Sequence, residues 1–215
     1  MQKQKPKVIF LDAVGTLFGA KESIGALYAQ VALQFGVNAE ISLLEKAFYK
    51  SFQTAPPACF PGVNFDDIPQ REFEWWYEVS KATFQGAGYF SKFANFDGFF
   101  EKLFNYFATA EPWFVYPDVV PALENWRQVG FELGVVSNFD SRLYQVLESL
   151  NLASYFSSVT ISTQVGAAKP DEKVFLTALK KHNCLGVEAC HIGDSFKDDY
   201  CGAKSAGLQA ILIHR

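Results

Sequence analysis

Three stretches of the 215-residue chain place chemistry-bearing side chains at the ends of apolar runs. Residues 8–18 read VIFLDAVGTLF, an apolar run that ends on a lone carboxylate, Asp12, before a Gly-Thr turn. Residues 135–140 read VVSNFD, ending the run on Ser137 and Asn138, and residues 191–195 read HIGDS, which brings Asp194. One Asp after a strand is ordinarily a turn former or a helix cap. Three runs that each turn polar at their last residue point instead to a ligand site, because open α/β sheets bind ligands at the carboxyl ends of their strands. Val14, two places after Asp12, cannot carry a proton, and this limits the acid–base chemistry available beside that carboxylate.

The elements that must position these residues follow from the apolar pattern. KVIFLD (7–12), FELGVVSN (131–138), SSVTIST (157–163), ACHIGDS (189–195) and QAILIH (209–214) read as short strands, several of them buried on both faces. Helical stretches at about 117–128, 140–150, 171–182 and 197–206 separate the later strands. This alternation predicts an α/β fold with a doubly wound parallel sheet. Residues 19–110 break the rhythm and read as helices only, near 22–35, 40–54, 67–84 and 96–109, with a Pro/Gly-rich connector at 54–67. The expected organisation is an α/β core formed by 1–18 and 111–215, with a smaller helical domain, 19–110, inserted after the first strand.

Composition narrows the function class. Aromatic residues make up 16% of the chain, including 22 Phe, and are expected to pack a core. The formal net charge is -4, with no basic block beyond the N-terminal KQKPK, so no nucleic-acid partner is expected. The four cysteines form neither a CxxC pair nor a Cys/His zinc spacing and read as reduced thiols. No apolar run approaches the ~20 residues of a membrane span, and no signal-peptide core is visible. The expectation is a soluble cytoplasmic protein with no membrane partner.

Four pieces occur in order: DAVGTL (12–17), VVSNFD (135–140), AAKPDEKVF (167–175) and HIGDSFKDDYCGAKSAG (191–207). Together they resemble the haloacid dehalogenase-like (HAD) hydrolase superfamily, and the helical insert is similar in position to that family's cap. REFEWWYEVSKATF (71–84) and VVSNFDSRL (135–143) further resemble its rhythmically-expressed-gene-like, or haloacid-dehalogenase-like-domain-containing, branch. The resemblance implies a Rossmann-type core and an Asp12 nucleophile that forms an aspartyl ester. Gly15 would permit the sharp turn, and Thr16 would offer a hydroxyl and an amide beside the carboxylate. Ser137 and Asn138 would hold the transferred group, and Lys169 would set positive charge over the nucleophile. Asp194 and Asp199 would complete a carboxylate cluster. Three carboxylates at one place repel unless a cation lies among them, and hard oxygen ligands suit Mg²⁺. The implied ligands are Asp12, the backbone carbonyl of Val14, and Asp194. Asp199 would orient a metal-bound water or pair with Lys169, and Asp198 reads as an acid complementing a helix N-terminus.

One departure matters. Phosphatases of this family carry a second Asp two residues after the nucleophile, where this chain has Val14. Three readings therefore stand: a phosphatase acting on a small phosphorylated molecule with a good leaving group or a cap-supplied acid; a 2-haloacid dehalogenase, whose halide needs no proton; and a low-turnover binding protein. Family dehalogenases have no need of Mg²⁺ and usually show Ser-Ser-Asn where this chain has Gly193-Asp194-Ser195, so the retained carboxylate favours phosphoryl transfer. In the helical block, Lys21 and Arg71 are candidates for an anionic group but read more readily as solvated residues. Glu72, Glu74 and Tyr77 are candidate acids that no spacing singles out. Of the adjacent Trp75 and Trp76, at least one should face the core. His182, His191 and His214 receive no catalytic role, and His191 reads as a packed strand residue.

Overall fold

The computed structural model describes residues 5–215. In chain order the elements are β1 (Val8–Leu11), β2 (Phe18–Ala20), α1 (Ile24–Gln34), α2 (Ile41–Thr54), α3 (Ile68–Gly86), α4 (Phe96–Tyr106), β3 (Trp113–Val115), α5 (Val119–Gln128) and β4 (Glu132–Ser137). There follow α6 (Arg142–Ser149), β5 (Ser158–Ile161), α7 (Ser162–Val165), α8 (Glu172–Lys181), β6 (Ala189–Gly193), a π-helical turn (Phe196–Cys201), α9 (Gly202–Ser205) and β7 (Gln209–Leu212).

Five strands form one parallel sheet in the order β5-β4-β1-β6-β7, the doubly wound arrangement expected from the sequence. The VIFL run of β1 is buried along its whole length because strands flank it on both sides and layers cover both faces. Register decides where the polar ends fall. Leu11 lies opposite Val135 of β4 and Ile192 of β6, so Asp12, Ser137 and Asp194 leave the sheet at the same edge within about one residue of one another. The expected strands at 131–138, 157–163, 189–195 and 209–214 are all present, each shortened by a residue or more. β2 and β3 were not expected. They pair as a separate two-stranded ribbon where the chain leaves and re-enters the α/β part.

The chain divides into two compact units. One holds residues up to Gly19, Ala58–Ile68 and Phe114–Arg215; the other holds Ala20–Pro57 and Pro69–Trp113. The connector, expected inside the helical block, falls in part with the α/β unit, which Ala58–Ile68 joins. The Ser162 hydroxyl donates to the Ala58 carbonyl at 2.8 Å, and Gly166 (φ 67°) lies against Pro61, where a Cβ would come within 3.0 Å of the Pro61 Cα.

The helical unit explains the aromatic composition. Phe84, Phe99 and Phe100 are at most 1% exposed, and the Phe84 and Phe99 rings meet edge to face at 4.9 Å. Tyr28, Phe48 and Phe96 extend the same cluster. Trp75 and Trp76 both pack partly against it and meet edge-on at 4.8 Å. Among the described residues, no helix is long and apolar enough to cross a membrane.

Candidate active site

The site is assembled at the shared edge of β1, β4 and β6. Asp12 follows β1, and its amide donates to the Ile192 carbonyl at 2.9 Å, which anchors the strand end to β6. The chain then turns at Gly15, whose φ of 84° is the left-handed region that favours glycine. A Cβ there would lie 2.5 Å from Asp194 Oδ2, so the bare backbone lets the turn after β1 approach the loop after β6. Thr16 is buried, and its Oγ1 has no partner at hydrogen-bonding distance; from farther away it favours the charged form of Asp194.

Lys169 lies at the centre. Its Nζ donates to Asp12 Oδ1 at 2.6 Å, to Asp199 Oδ1 at 2.6 Å and to the Val136 carbonyl at 3.1 Å, which uses all three ammonium hydrogens. The ammonium is buried, which alone would lower its pKa; the two carboxylates outweigh that, and the net shift is upward. Asp12 is raised as well, which for an acid disfavours the charged form. Burial pushes its carboxyl up, Lys169 opposes this, and the Asp199 charge adds to the rise. Asp199 is buried too, but hydrogen bonding from His191 and the Lys169 charge hold it well below the usual carboxylate range. Asp194, the most open of the three acids, is raised by desolvation and by Asp199.

The lysine is held from its backbone. Asn138 Nδ2 donates to the Lys169 carbonyl at 3.0 Å, and the Lys169 amide donates to Asn138 Oδ1 at 2.7 Å. The Asn138 side chain, expected beside the substrate, thus clamps the loop that delivers Lys169. Ser137 is buried at the end of β4 and lines the cavity.

The loop after β6 departs from the regular helix expected at 197–206. The Ser195 carbonyl accepts from both Asp199 N (3.0 Å) and Tyr200 N (3.1 Å), and the first turn is π-helical. This widened turn directs Asp199 inward, where its Oδ2 accepts the Ser195 amide at 3.0 Å. Asp198 lies beside the same cavity, and its amide donates to Ser195 Oγ at 3.1 Å.

His191 is the residue that the sequence reading missed. It is buried, as expected, but its Nε2 lies 2.8 Å from Asp199 Oδ1, inside the charged network. Its Nδ1 is buried without a partner, and an unsatisfied buried polar atom costs about 1–3 kcal/mol. Burial lowers the imidazole pKa more than the Asp199 hydrogen bond raises it.

These groups surround an open cavity of about 190 Å³ lined by Asp12, Val14, Ser137, Lys169, Asp194 and Asp198 among others. One carboxylate oxygen from each of Asp12, Asp194 and Asp199 lies within 4.8 Å of the others, an all-oxygen set that fits a hard divalent cation. Val14 is 38% exposed and faces this cavity with a side chain that neither donates nor accepts.

The remaining candidates lie in the helical unit. Lys21 Nζ donates to the Ala110 carbonyl at 3.5 Å, and Arg71 pairs with Glu74 at 3.0 Å on the surface. Glu72 is buried, and the Tyr77 hydroxyl donates to Asp97 at 2.7 Å.

Comparison with known proteins agrees with this geometry. The model of the haloacid dehalogenase-like hydrolases matches residues 6–207. Haloacid dehalogenase-like hydrolase domain-containing protein 3 of Bos taurus is 30% identical over 207 residues, spanning 96% of this chain and 81% of that protein. The Rhythmically expressed gene 2 protein of Drosophila melanogaster is 28% identical over 216 residues, spanning 97% and 83%. Among solved structures, a HAD phosphatase from Thermococcus onnurineus superposes with a TM-score of 0.67 at 24% identity, covering 97% of this chain and 86% of that one. A 2-haloacid dehalogenase from Pseudomonas syringae gives 0.63, also at 24% identity, with 96% and 86% covered. At such identities the structural likeness speaks for the fold, which serves both chemistries. The chain belongs to the haloacid dehalogenase-like hydrolase family.

Proposed function

We propose that this hydrolase is a Mg²⁺-dependent phosphatase acting on small phosphorylated molecules through an aspartyl-phosphate intermediate. The observation that carries the reading is the retention of Asp194 beside Asp12 and Asp199, with one oxygen of each within 4.8 Å. A halide-releasing site has no use for that third carboxylate.

The chain's own groups account for the steps. A carboxylate oxygen of Asp12 attacks phosphorus in line; the new P–O bond forms as the bond to the leaving group breaks, and the leaving group departs with its electron pair. Lys169, fixed 2.6 Å from Asp12, balances the charge that builds during attack. Water then attacks phosphorus; its P–O bond forms as the bond from phosphorus to Asp12 breaks, phosphate leaves with both of the water's protons, and the Asp12 carboxylate is regenerated. Asp12, the Val14 carbonyl and Asp194 would hold the cation, which when bound supplies charge neutralisation and Lewis-acid polarisation of the phosphoryl group. Val14 offers no proton to either half-reaction. A missing general acid–base is worth about 10²- to 10⁴-fold, so substrates with good leaving groups are favoured.

The deciding test assays aryl, acyl and alkyl phosphates together with 2-haloacids, in Mg²⁺ and in EDTA. The expected result is Mg²⁺-dependent phosphate release, fast on aryl and acyl phosphates and slow on sugar phosphates, with Val14→Asp raising the slow rates. Halide release indifferent to EDTA selects dehalogenation, and silence on both panels selects a binding protein. Equal kcat/KM on aryl and alkyl phosphates in wild type would place the acid elsewhere in the chain.

The cation assignment has its own test. Asp194→Asn removes a direct ligand. Partners one shell farther out already cost about 10- to 100-fold, so Mg²⁺ affinity by calorimetry should fall by more than about 100-fold. Asp198→Asn should change it little, and unchanged affinity in Asp194→Asn would remove the assignment.

A further inference from the structure

We infer that His191 is a positioning residue of the hydrolytic site: its Nε2–H fixes the Asp199 carboxylate, and through it holds the Lys169 ammonium against Asp12. The inference rests on the phosphatase reading for its kinetic consequence, but not for the contact itself.

The first argument is the environment of the ring. His191 lies on β6 opposite Phe10 of β1, is 0% exposed, and meets the Phe175 ring edge to face at 5.2 Å. This is an apolar core slot, and a phenyl ring there would leave no polar atom stranded. The imidazole instead leaves Nδ1 without a partner and uses only Nε2, on Asp199 Oδ1 at 2.8 Å. A ring that is half unsatisfied in a slot suited to a hydrocarbon marks its one hydrogen bond as the reason for a polar side chain. Asp199 is a carboxylate and accepts only, so the proton belongs on Nε2.

The second argument is how Asp199 is held. Its Oδ1 is shared by Lys169 at 2.6 Å and His191 at 2.8 Å, and its Oδ2 takes the Ser195 amide at 3.0 Å. Three donors on two oxygens fix the rotation of the carboxylate. The carboxylate also lies so close over Gly193 that a Cβ there would come 2.2 Å from Asp199 Cγ. If the His191 donor is removed, Lys169 becomes the sole donor to Oδ1. The ammonium, which Asp12 and Asp199 now share at equal distance, is then free to shift toward Asp199 and away from the nucleophile. Such a shift weakens an interaction that matters most in the transition state, so kcat should fall while KM changes little.

The test compares wild type with His191→Phe, His191→Gln and His191→Asn on p-nitrophenyl phosphate with Mg²⁺, alongside melting temperatures. The Gln amide reaches the depth of Nε2; the Asn amide reaches only that of Nδ1. His191→Phe is expected to lose about 10- to 100-fold in kcat, a loss out of proportion to the change in melting temperature. Gln should recover most of that loss and Asn should not. Wild-type kcat in His191→Phe, or activity that tracks melting temperature across the three variants, would overturn the proposal. The Gln–Asn comparison keeps the test decisive even where Phe does not pack. A readout independent of turnover is the long-range ¹H–¹⁵N imidazole correlation of wild type. It should show a solvent-protected proton on Nε2, and a ring protonated on Nδ1 alone would sink the proposal. If wild type releases no phosphate, the phosphatase reading fails alone, and the tautomer still judges the His191–Asp199 bond.

Discussion

Asp12→Asn is expected to stop turnover, with a loss of at least about 10⁴-fold, because removing a covalent nucleophile leaves only binding and electrostatics. The loss should not come from unfolding. Asp12 is a buried carboxyl whose ionisation the fold already disfavours, and in the variant Lys169 keeps Asp199 and the Val136 carbonyl as acceptors. The melting temperature should therefore stay near that of wild type. Acid quenching during turnover of a ³²P-labelled acyl phosphate should trap label on wild type and none on the variant. A variant that still turns over near the wild-type rate, or still acquires label, would remove Asp12 as the nucleophile.

The second large effect is on stability. Lys169→Met leaves Asp12 and Asp199, both nearly inaccessible to solvent, without their shared counter-charge. Breaking a buried pair by removing one partner costs about 3–5 kcal/mol, and the unfolding free energy in EDTA at neutral pH should fall by that amount. The pH dependence should also change, because Lys169 lowers both carboxyls. In wild type the Asp199 pKa lies below its unfolded value, so its contribution is present above the unfolded pKa of about 3.9 and is lost as pH falls through the folded value. Without the lysine, burial raises Asp12 further, and Asp199 rises from its lowered value with only His191 and the Ser195 amide left to hold it. A raised acid favours the fold below its unfolded pKa and weakens it as pH rises through the folded one. The variant should thus gain more stability than wild type between neutral pH and about pH 5, because in wild type Asp12 is raised but Asp199 is held low. Urea midpoints at the two pH values measure this directly. A variant as stable as wild type, with the same slope, would show that the ion pairs contribute nothing net.

Much of this arrangement was legible because it is written in contiguous runs. The five sheet strands are short apolar segments bounded by polar turns, and three of them end on Asp12, Ser137 and Asp194, so their convergence follows from parallel register. The features that escaped depend on partners far away in the chain. β2 and β3 are three residues each and exist only because FGA meets WFV across the whole helical block. Residues 58–68 join the α/β unit through Ser162 and Gly166, about a hundred positions later. Asn138 serves the Lys169 backbone 31 residues on, so its amide could be read as free for a ligand. His191 sits eight residues before Asp199, and the π-helical turn that brings the two together leaves no periodic trace. A histidine in an otherwise apolar strand, with a spare carboxylate soon after it, was the available signal.

The central place of β1 also bears on how the polypeptide is made. The first strand synthesised is the middle strand of the sheet, and both of its neighbours, β4 and β6, arrive more than a hundred residues later. The Asp12–Lys169 contact closes a span of 157 residues. At 5–20 residues per second, roughly 8 to 30 s pass between translation of the nucleophile and translation of its counter-charge. For most of that interval, until β4 is translated, VIFL has no strand to pair with, and the carboxylate that follows it stays uncompensated to the end of it. The catalytic centre is therefore among the last parts of the molecule to form, and a ribosome-bound chain stopped before residue 169 has no site at all.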